Sequence, residues 1–216
     1  MTREEITKHI HDAGLIPAIR VDSASLAIFA AEQVFAGGIP IVEIEDTVPD
    51  CTEVIRELHR LFPTLIVGAE VNSGLDELRV RLDAGADFIT GIGFLPKVVA
   101  HCVEQRVTVI PGAMTPTEIL AAHAAGADFV KVFPCGDVGG EKYIRALKAA
   151  LPRVRLMASG GVTQSTAGQY ILAGAEVLGV GEDLIPRQAL RYKEGAWIRE
   201  LASRFLKFVQ EARAAA

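Results

Sequence analysis

Short apolar runs alternate along the whole chain with longer stretches whose apolar residues fall three and four apart. Four of the runs share a signature: "FAGGIPIVEI", "DAGADFITGI", "AAGADFVKVF" and "LAGAEVLGVG". Each has a small residue, a glycine and then a brief apolar segment. The repeated glycines, Gly37, Gly85, Gly126 and Gly174, are spaced by 48, 41 and 48 residues. Each interval has room for two strand–helix units. Four further runs lie between them: "LIPAIR" (15–20), "TLIVGA" (64–69), "VTVIPG" (107–112) and "VRLMAS" (154–159). Eight short strands are thus predicted. Amphipathic helical patterns separate them, among them "SLAIFAAEQVF", "CTEVIRELHRLF" and the C-terminal "AWIRELASRFLKFVQEA".

Strands apolar on both faces, in strict alternation with helices, imply a parallel sheet. Eight such units predict a single-domain (β/α)8 TIM barrel over residues 1–216, with "MTREEITKHI" as an extra N-terminal surface helix rather than a signal peptide. The alternative is an open doubly wound sheet. The repeat count and the lack of a GxGxxG fingerprint after the first strand favour the barrel.

Composition narrows the class. Half of the 216 residues are hydrophobic, enough for a sizeable core, and the net charge is −5. That balance argues against nucleic acid or an acidic membrane surface as a partner. No apolar stretch approaches the roughly 20 residues of a membrane span. Three cysteines, Cys51, Cys102 and Cys135, have neither disulfide nor zinc spacing, which suits a reducing cytoplasm. The five histidines show no metal-ligand spacing at a strand end, and no metal or cofactor is expected.

One residue breaks the apolar rule. In "GADFVKVFPCGD" Lys131 sits between Phe129, Val130, Val132 and Phe133. Buried lysine is rare unless paired or functional. Barrel enzymes carry their chemistry at the carboxyl ends of the strands. Listing the strand ends brings Arg20, Glu43 and Lys131 to one end, with Glu45, Asp46 and Glu70 nearby. A lysine there can snorkel at the rim, pair structurally with Glu43, or act as a nucleophile. In a dry site desolvation is expected to lower its pKa, and the free amine then condenses with a ketone to a Schiff base. Glu43 can move protons, and the Arg20 guanidinium can hold a carboxylate at two points. Together these suit aldol cleavage of a 2-keto acid.

The stretches "IPAIR", "VEIEDTVPD", "IVGA", "IPGAMTPTEI", "VKVFP", "ASGGVT" and "LGVGEDLI" resemble the 2-keto-3-deoxy-6-phosphogluconate/4-hydroxy-2-oxoglutarate (KDPG/KHG) aldolase family, from about residue 14 to 212. The resemblance implies a homotrimeric, metal-independent class I aldolase. In it Lys131 forms the Schiff base, Glu43 is the general acid/base and Arg20 binds the keto-acid carboxylate. Phe133 and Thr47 contact substrate, and Gly160, Gly161, Gly181 and Glu182 form a phosphate cradle. Products would be pyruvate and an aldehyde, the aldehyde being glyoxylate where the substrate is 4-hydroxy-2-oxoglutarate.

The chain departs from the family pattern in five places, one being Glu45 and Asp46, which stand where members have uncharged residues. "GAEV" stands where members have "GAGT", so Glu70 and Val71 replace a glycine and a threonine. Gly91-Ile92 stands where members have Ser-Pro. Some members carry arginine at the position of Thr47. Glu182 stands where members have the phosphate-site serine. A carboxylate there repels a dianion, which points to a substrate without phosphate; the opposite reading has Glu182 directed to solvent. Two other functions stay open: another lysine-dependent lyase or epimerase on sugar acids, and a decayed scaffold that keeps the fold.

Overall fold

The computed structural model describes residues 1–215. Nine parallel strand segments run in the order β5-β4-β3-β2-β1-β9-β8-β7-β6. They are β1 (Leu15–Ile19), β2 (Ile41–Ile44), β3 (Ile66–Glu70), β4 (Phe88–Thr90), β5 (Thr108–Ile110), β6 (Gly112–Ala113), β7 (Val130–Val132), β8 (Leu156–Ser159) and β9 (Val177–Val180). The predicted fifth strand is two segments. Pro111 has no N–H to donate, so the ladder breaks there. β5 pairs with β4, β6 pairs with β7, and Lys131 N–H donates to the Pro111 carbonyl at 2.9 Å. Eight strand positions therefore complete the circuit of a (β/α)8 barrel.

Ten helices flank or cap the strands among the described residues: α1 (Arg3–Ala13), α2 (Ala24–Ala36), α3 (Cys51–Leu61), α4 (Leu75–Asp83), α5 (Pro96–Glu104), α6 (Pro116–Ala124), α7 (Gly140–Ala150), α8 (Ala167–Leu172), α9 (Arg187–Arg191) and α10 (Gly195–Ala214). Their starts follow local chemistry. Thr2 and Glu5 form a reciprocal capping box on α1, and Thr115 and Glu118 form another on α6, where Pro116 occupies the first turn. The sequence pattern gives no helix at α9, because Arg187–Arg191 spans barely more than one turn.

Period-two alternation decides what fills the barrel. Ile16, Ile41, Ile66, Phe88, Ile110, Phe129, Met157 and Val177, one from each strand position, form an apolar inner cluster. Ile6 and Ile10 of α1 belong to the same cluster. The N-terminal helix is thus the floor of the barrel, where the sequence alone suggested a surface helix. Arg3 fastens it from below, with two hydrogen bonds from Nε and one from Nη2 to the Asp128 carboxylate and a further one to the Gly126 carbonyl. Intervening strand residues such as Val42, Ile44, Val67, Ile89, Val130 and Leu178 face the helices in the outer core.

Two residues above Ile66, the inner position is Gly68. A Cβ there would lie 2.2 Å from the Phe88 ring, which occupies the space instead. Gly68→Ala is therefore expected to lower the free energy of unfolding by about 1–3 kcal/mol through overpacking, measured by urea denaturation.

Candidate active site

The same alternation lifts the next inner positions to the carboxyl end. Glu43 from β2, Thr90 from β4, Lys131 from β7 and Ser159 from β8 are all buried. Lys131 Nζ donates to Glu43 Oε1 at 2.8 Å, and Thr90 Oγ1 donates to the same oxygen at 2.7 Å. Among the described residues Glu43 Oε2, which is buried, has no hydrogen-bond partner. An unpaired carboxylate oxygen in a dry interior is costly unless something else visits it. Glu70, the last residue of β3, places Oε1 3.5 Å from Lys131 Nζ and is also buried. Lys131 Nζ lies 6.0 Å from the centre of the Phe133 ring.

The electrostatics overturn one expectation. Burial does oppose the Lys131 ammonium, but the carboxylates of Glu43, Glu70 and Glu45 together outweigh it. They hold the lysine above its ordinary range rather than below it. The strain falls on the acids instead. Desolvation pushes Glu70 up to about 6 against the pull of Lys131, with Glu43, Glu45 and Asp46 adding like-charge repulsion. Desolvation also raises Glu45, partly offset by its hydrogen bond from Arg20. Resting Lys131 is an ammonium, so the nucleophile must be released by proton transfer within the site.

Above this layer opens a cavity of about 230 Å3. Its lining includes Arg20, Glu45, Phe133, Ser159, Gly160, Gly161, Gly181, Glu182 and Arg187. Arg20 follows β1, and its Nε donates to Glu45 Oε2. Glu45 lies one residue past β2 rather than within it. Lys131, Glu43 and Glu70 are not lining residues; they lie in the barrel interior, coupled electrically to the Arg20–Glu45 pair. Gly160 and Gly161 both adopt left-handed φ, +80° and +79°. Among the described residues nothing accepts a hydrogen bond from the N–H groups of Gly161, Val162, Glu182 or Asp183. Free N–H groups around a concave wall suit an anion.

Of the residues singled out from sequence, Arg20, Phe133, Gly160, Gly161, Gly181 and Glu182 meet at the cavity, while Lys131 and Glu43 pair just within. Thr47 is exposed and outside the lining. The Glu182 side chain is 63% exposed and pairs with Arg187 at 3.2 Å, so its charge is partly answered. Cys135 is buried, with its thiol pushed up to about 11 by desolvation, which leaves it inert. Three contributors were missed from sequence: Thr90, Arg187 and Asn72. Thr90 aligns with Glu70 in the β3–β4 register, so counting by two from Phe88 identifies it. Asn72 donates to Asp46 at 3.0 Å and accepts from the Ile92 N–H at 3.0 Å, tying three loops of the rim together. Nothing in its sequence neighbourhood signals that.

A family model described as KDPG and KHG aldolase matches residues 6–201. The chain belongs to this aldolase family. It is 28% identical to the 2-dehydro-3-deoxy-phosphogluconate aldolase of Treponema pallidum over 196 residues, covering 90% of this chain and 93% of that protein. A native KDPGal structure superposes with a TM-score of 0.83 at 28% identity, over 93% of this chain and 96% of that one. The fold is shared with the KDPG aldolase of Legionella pneumophila, captured with pyruvate as a covalent carbinolamine, at a TM-score of 0.84 and 24% identity over 91% of this chain and 96% of that one.

The raised Glu70 carboxyl has a stability consequence. A carboxyl whose folded pKa exceeds its unfolded value contributes stability that is complete below about 4.5 and is lost as pH rises through about 6. Glu70→Gln is expected to flatten that fall by about 2 kcal/mol, read by urea unfolding on either side of the window.

Proposed function

We propose that this aldolase works by Schiff-base chemistry on a 2-keto acid, with Lys131 as the nucleophile. The observation that carries the reading is the buried Lys131–Glu43 pair, whose second carboxylate oxygen is unengaged. A buried ammonium beside a carboxylate loses its proton locally and attacks the substrate ketone. Loss of water leaves an iminium at C2, an electron sink next to the bond to be cleaved. Glu43 takes the C4 hydroxyl proton, the C3–C4 bond breaks, and an aldehyde departs. The electrons of that bond pass into an enamine, which Glu43 protonates at C3. Hydrolysis of the iminium releases the 2-keto acid and returns the lysine.

Arg20 is the carboxylate anchor in this reading. It is engaged by Glu45 at rest, so the substrate carboxylate exchanges with that partner. Phe133 supplies the apolar wall over the iminium, and Thr90 orients Glu43. Glyoxylate or a longer hydroxyaldehyde is the second product. Homotrimeric assembly and a cytoplasmic location belong to the same reading and rest on the family resemblance. No helix among the described residues is long and apolar enough to cross a membrane.

The far end of the substrate sits in the glycine cradle. Its free N–H groups, with Arg187 beside them, support a phosphate there, as the names of the relatives suggest for those proteins. Glu182 and Asp183 work against one.

Incubation with pyruvate and borohydride, followed by intact-mass analysis, is expected to add one reduced pyruvyl group on Lys131. Lys131→Ala should abolish the adduct; no adduct on the unchanged protein overturns the reading. Glu43→Gln should form the adduct yet lose about 10²–10⁴-fold in kcat for aldol cleavage. At the cradle, removing one anion at partial exposure is worth roughly 1 kcal/mol. Glu182→Gln is expected to lower KM about fivefold for a phosphorylated 2-keto-3-deoxy acid and leave the unphosphorylated compound unchanged, by steady-state assay.

A further inference from the structure

Glu70 is a buried acid that the reaction described above does not use. It ends β3 with its carboxylate in the barrel interior, 3.5 Å from the nitrogen that becomes the nucleophile. Among the described residues no N–H or hydroxyl donates to that carboxylate; its one polar contact is the Lys131 ammonium. A carboxylate buried for structural reasons is normally held by several donors. Even the partly buried Asp128 at the other end of the barrel accepts from the Arg3 guanidinium, the Thr7 hydroxyl and the Val109 N–H. Glu70 has none of these. Glu43, the other carboxylate partner of Lys131, differs again. Its Oε1 accepts from two side chains and its Oε2 from none.

Schiff-base formation and carbon–carbon cleavage each need a proton carrier, at different atoms. The first serves the lysine nitrogen and the leaving oxygen at C2. The second serves the C4 hydroxyl and C3. We propose that Glu70 is a further catalytic residue, the carrier of the proton that Lys131 sheds before attacking the carbonyl and that the departing water takes up afterwards. Glu43 is thereby left free for the carbon–carbon step. The proposal rests on the Schiff-base reading and deepens it.

The proton balance closes without another reagent. The Glu70 carboxylate accepts a proton from the Lys131 ammonium. The neutral amine adds to the substrate carbonyl: the N–C bond forms, the carbonyl π bond breaks, and a nitrogen proton moves to the oxygen to give the neutral carbinolamine. The Glu70 carboxylic acid then protonates the hydroxyl, the C–O bond breaks, water leaves, and the nitrogen lone pair forms the iminium. Glu70 ends as a carboxylate facing the iminium cation. One positive charge enters on the ammonium and one remains on the iminium.

The surroundings favour a carboxyl that changes charge near neutrality. Lys131 and Arg20 face Glu70 as cations, and Glu43, Glu45 and Asp46 as anions. Burial and the three acids raise its pKa to about 6, close to the value at which a proton carrier is most effective.

The test is the rate of imine formation with pyruvate, by rapid mixing, borohydride quench and intact mass across pH 5 to 9. The unchanged protein is expected to form the adduct faster as pH rises through about 6, since the working form has Glu70 ionised and Lys131 protonated. Glu70→Gln is expected to lose that inflection and to be slower by about 10²-fold on the plateau. Glu70→Asp, which keeps the acid and withdraws it by one methylene, should be slowed less and keep the inflection. It carries the test if Glu70→Gln fails to fold. Equal plateau rates in Glu70→Gln overturn the proposal, including the case where the profile only slides to lower pH because Lys131 has lost an anionic neighbour. So does a Glu70→Asp variant as fast as the unchanged protein. No adduct on the unchanged protein at any pH overturns the Schiff-base reading itself, and this proposal with it.

Discussion

A charged nitrogen held inside a barrel is the constraint on which the rest of the molecule turns. Taking an ammonium out of water costs several kcal/mol, and only a close, well-oriented counter-charge repays it. Lys131 has Glu43 at 2.8 Å and Glu70 at 3.5 Å. Those partners come from strands far apart in sequence and meet because the sheet closes on itself. An open sheet would leave β2 and β7 on separate flanks. The barrel is therefore the condition that lets this lysine be buried, not a neutral frame around it.

The interior separates support from chemistry by height. Below lies an apolar plug of eight strand side chains with Ile6 and Ile10 of α1 packed beneath. The charged layer stands on it, with Glu43 and Lys131 two residues further along their strands and Glu70 four. The floor keeps water out from one side and fixes the heights of Glu43 and Lys131. The cavity lined by Arg20, Glu45 and Phe133 opens above it. The glycines of the layer have a matching reason. The Phe88 ring fills the space over Gly68, and Ser159 crowds Gly179. Small residues make room where the large polar ones must converge.

Charge is distributed against the simplest picture of a lysine nucleophile. The site holds more acids than bases: Glu43, Glu45 and Glu70 surround Lys131, with Arg20 as the second cation. Such a cage stabilises the ammonium at rest and the iminium once formed, since both carry the same charge in the same place. It disfavours the neutral amine between them. A fast reaction in this cage needs a proton acceptor in contact with the nitrogen, so that the amine is created only as it attacks.

Much of this was legible in one dimension. The alternation of apolar runs and amphipathic helices determined the barrel, because each strand must be apolar on both faces and each helix on one. Lys131 stood out because nothing polar belongs in "FVKVF", and Glu43 and Arg20 followed from their places at strand ends. The capping boxes at Thr2 and Thr115 rest on local chemistry too, although the sequence reading did not single them out. Tertiary structure decided the rest. It turned the N-terminal helix into a floor, broke the fifth strand at Pro111, and left Thr47 exposed outside the cavity. It gave Glu182 a partner in Arg187 and made Asn72 a tie across the rim. It also reversed the sense of the lysine's pKa. Desolvation is a property of one buried residue and can be anticipated from an apolar run. The opposing pull comes from three carboxylates brought in by β2, the residue after it and β3, and their distances exist only after the sheet has closed.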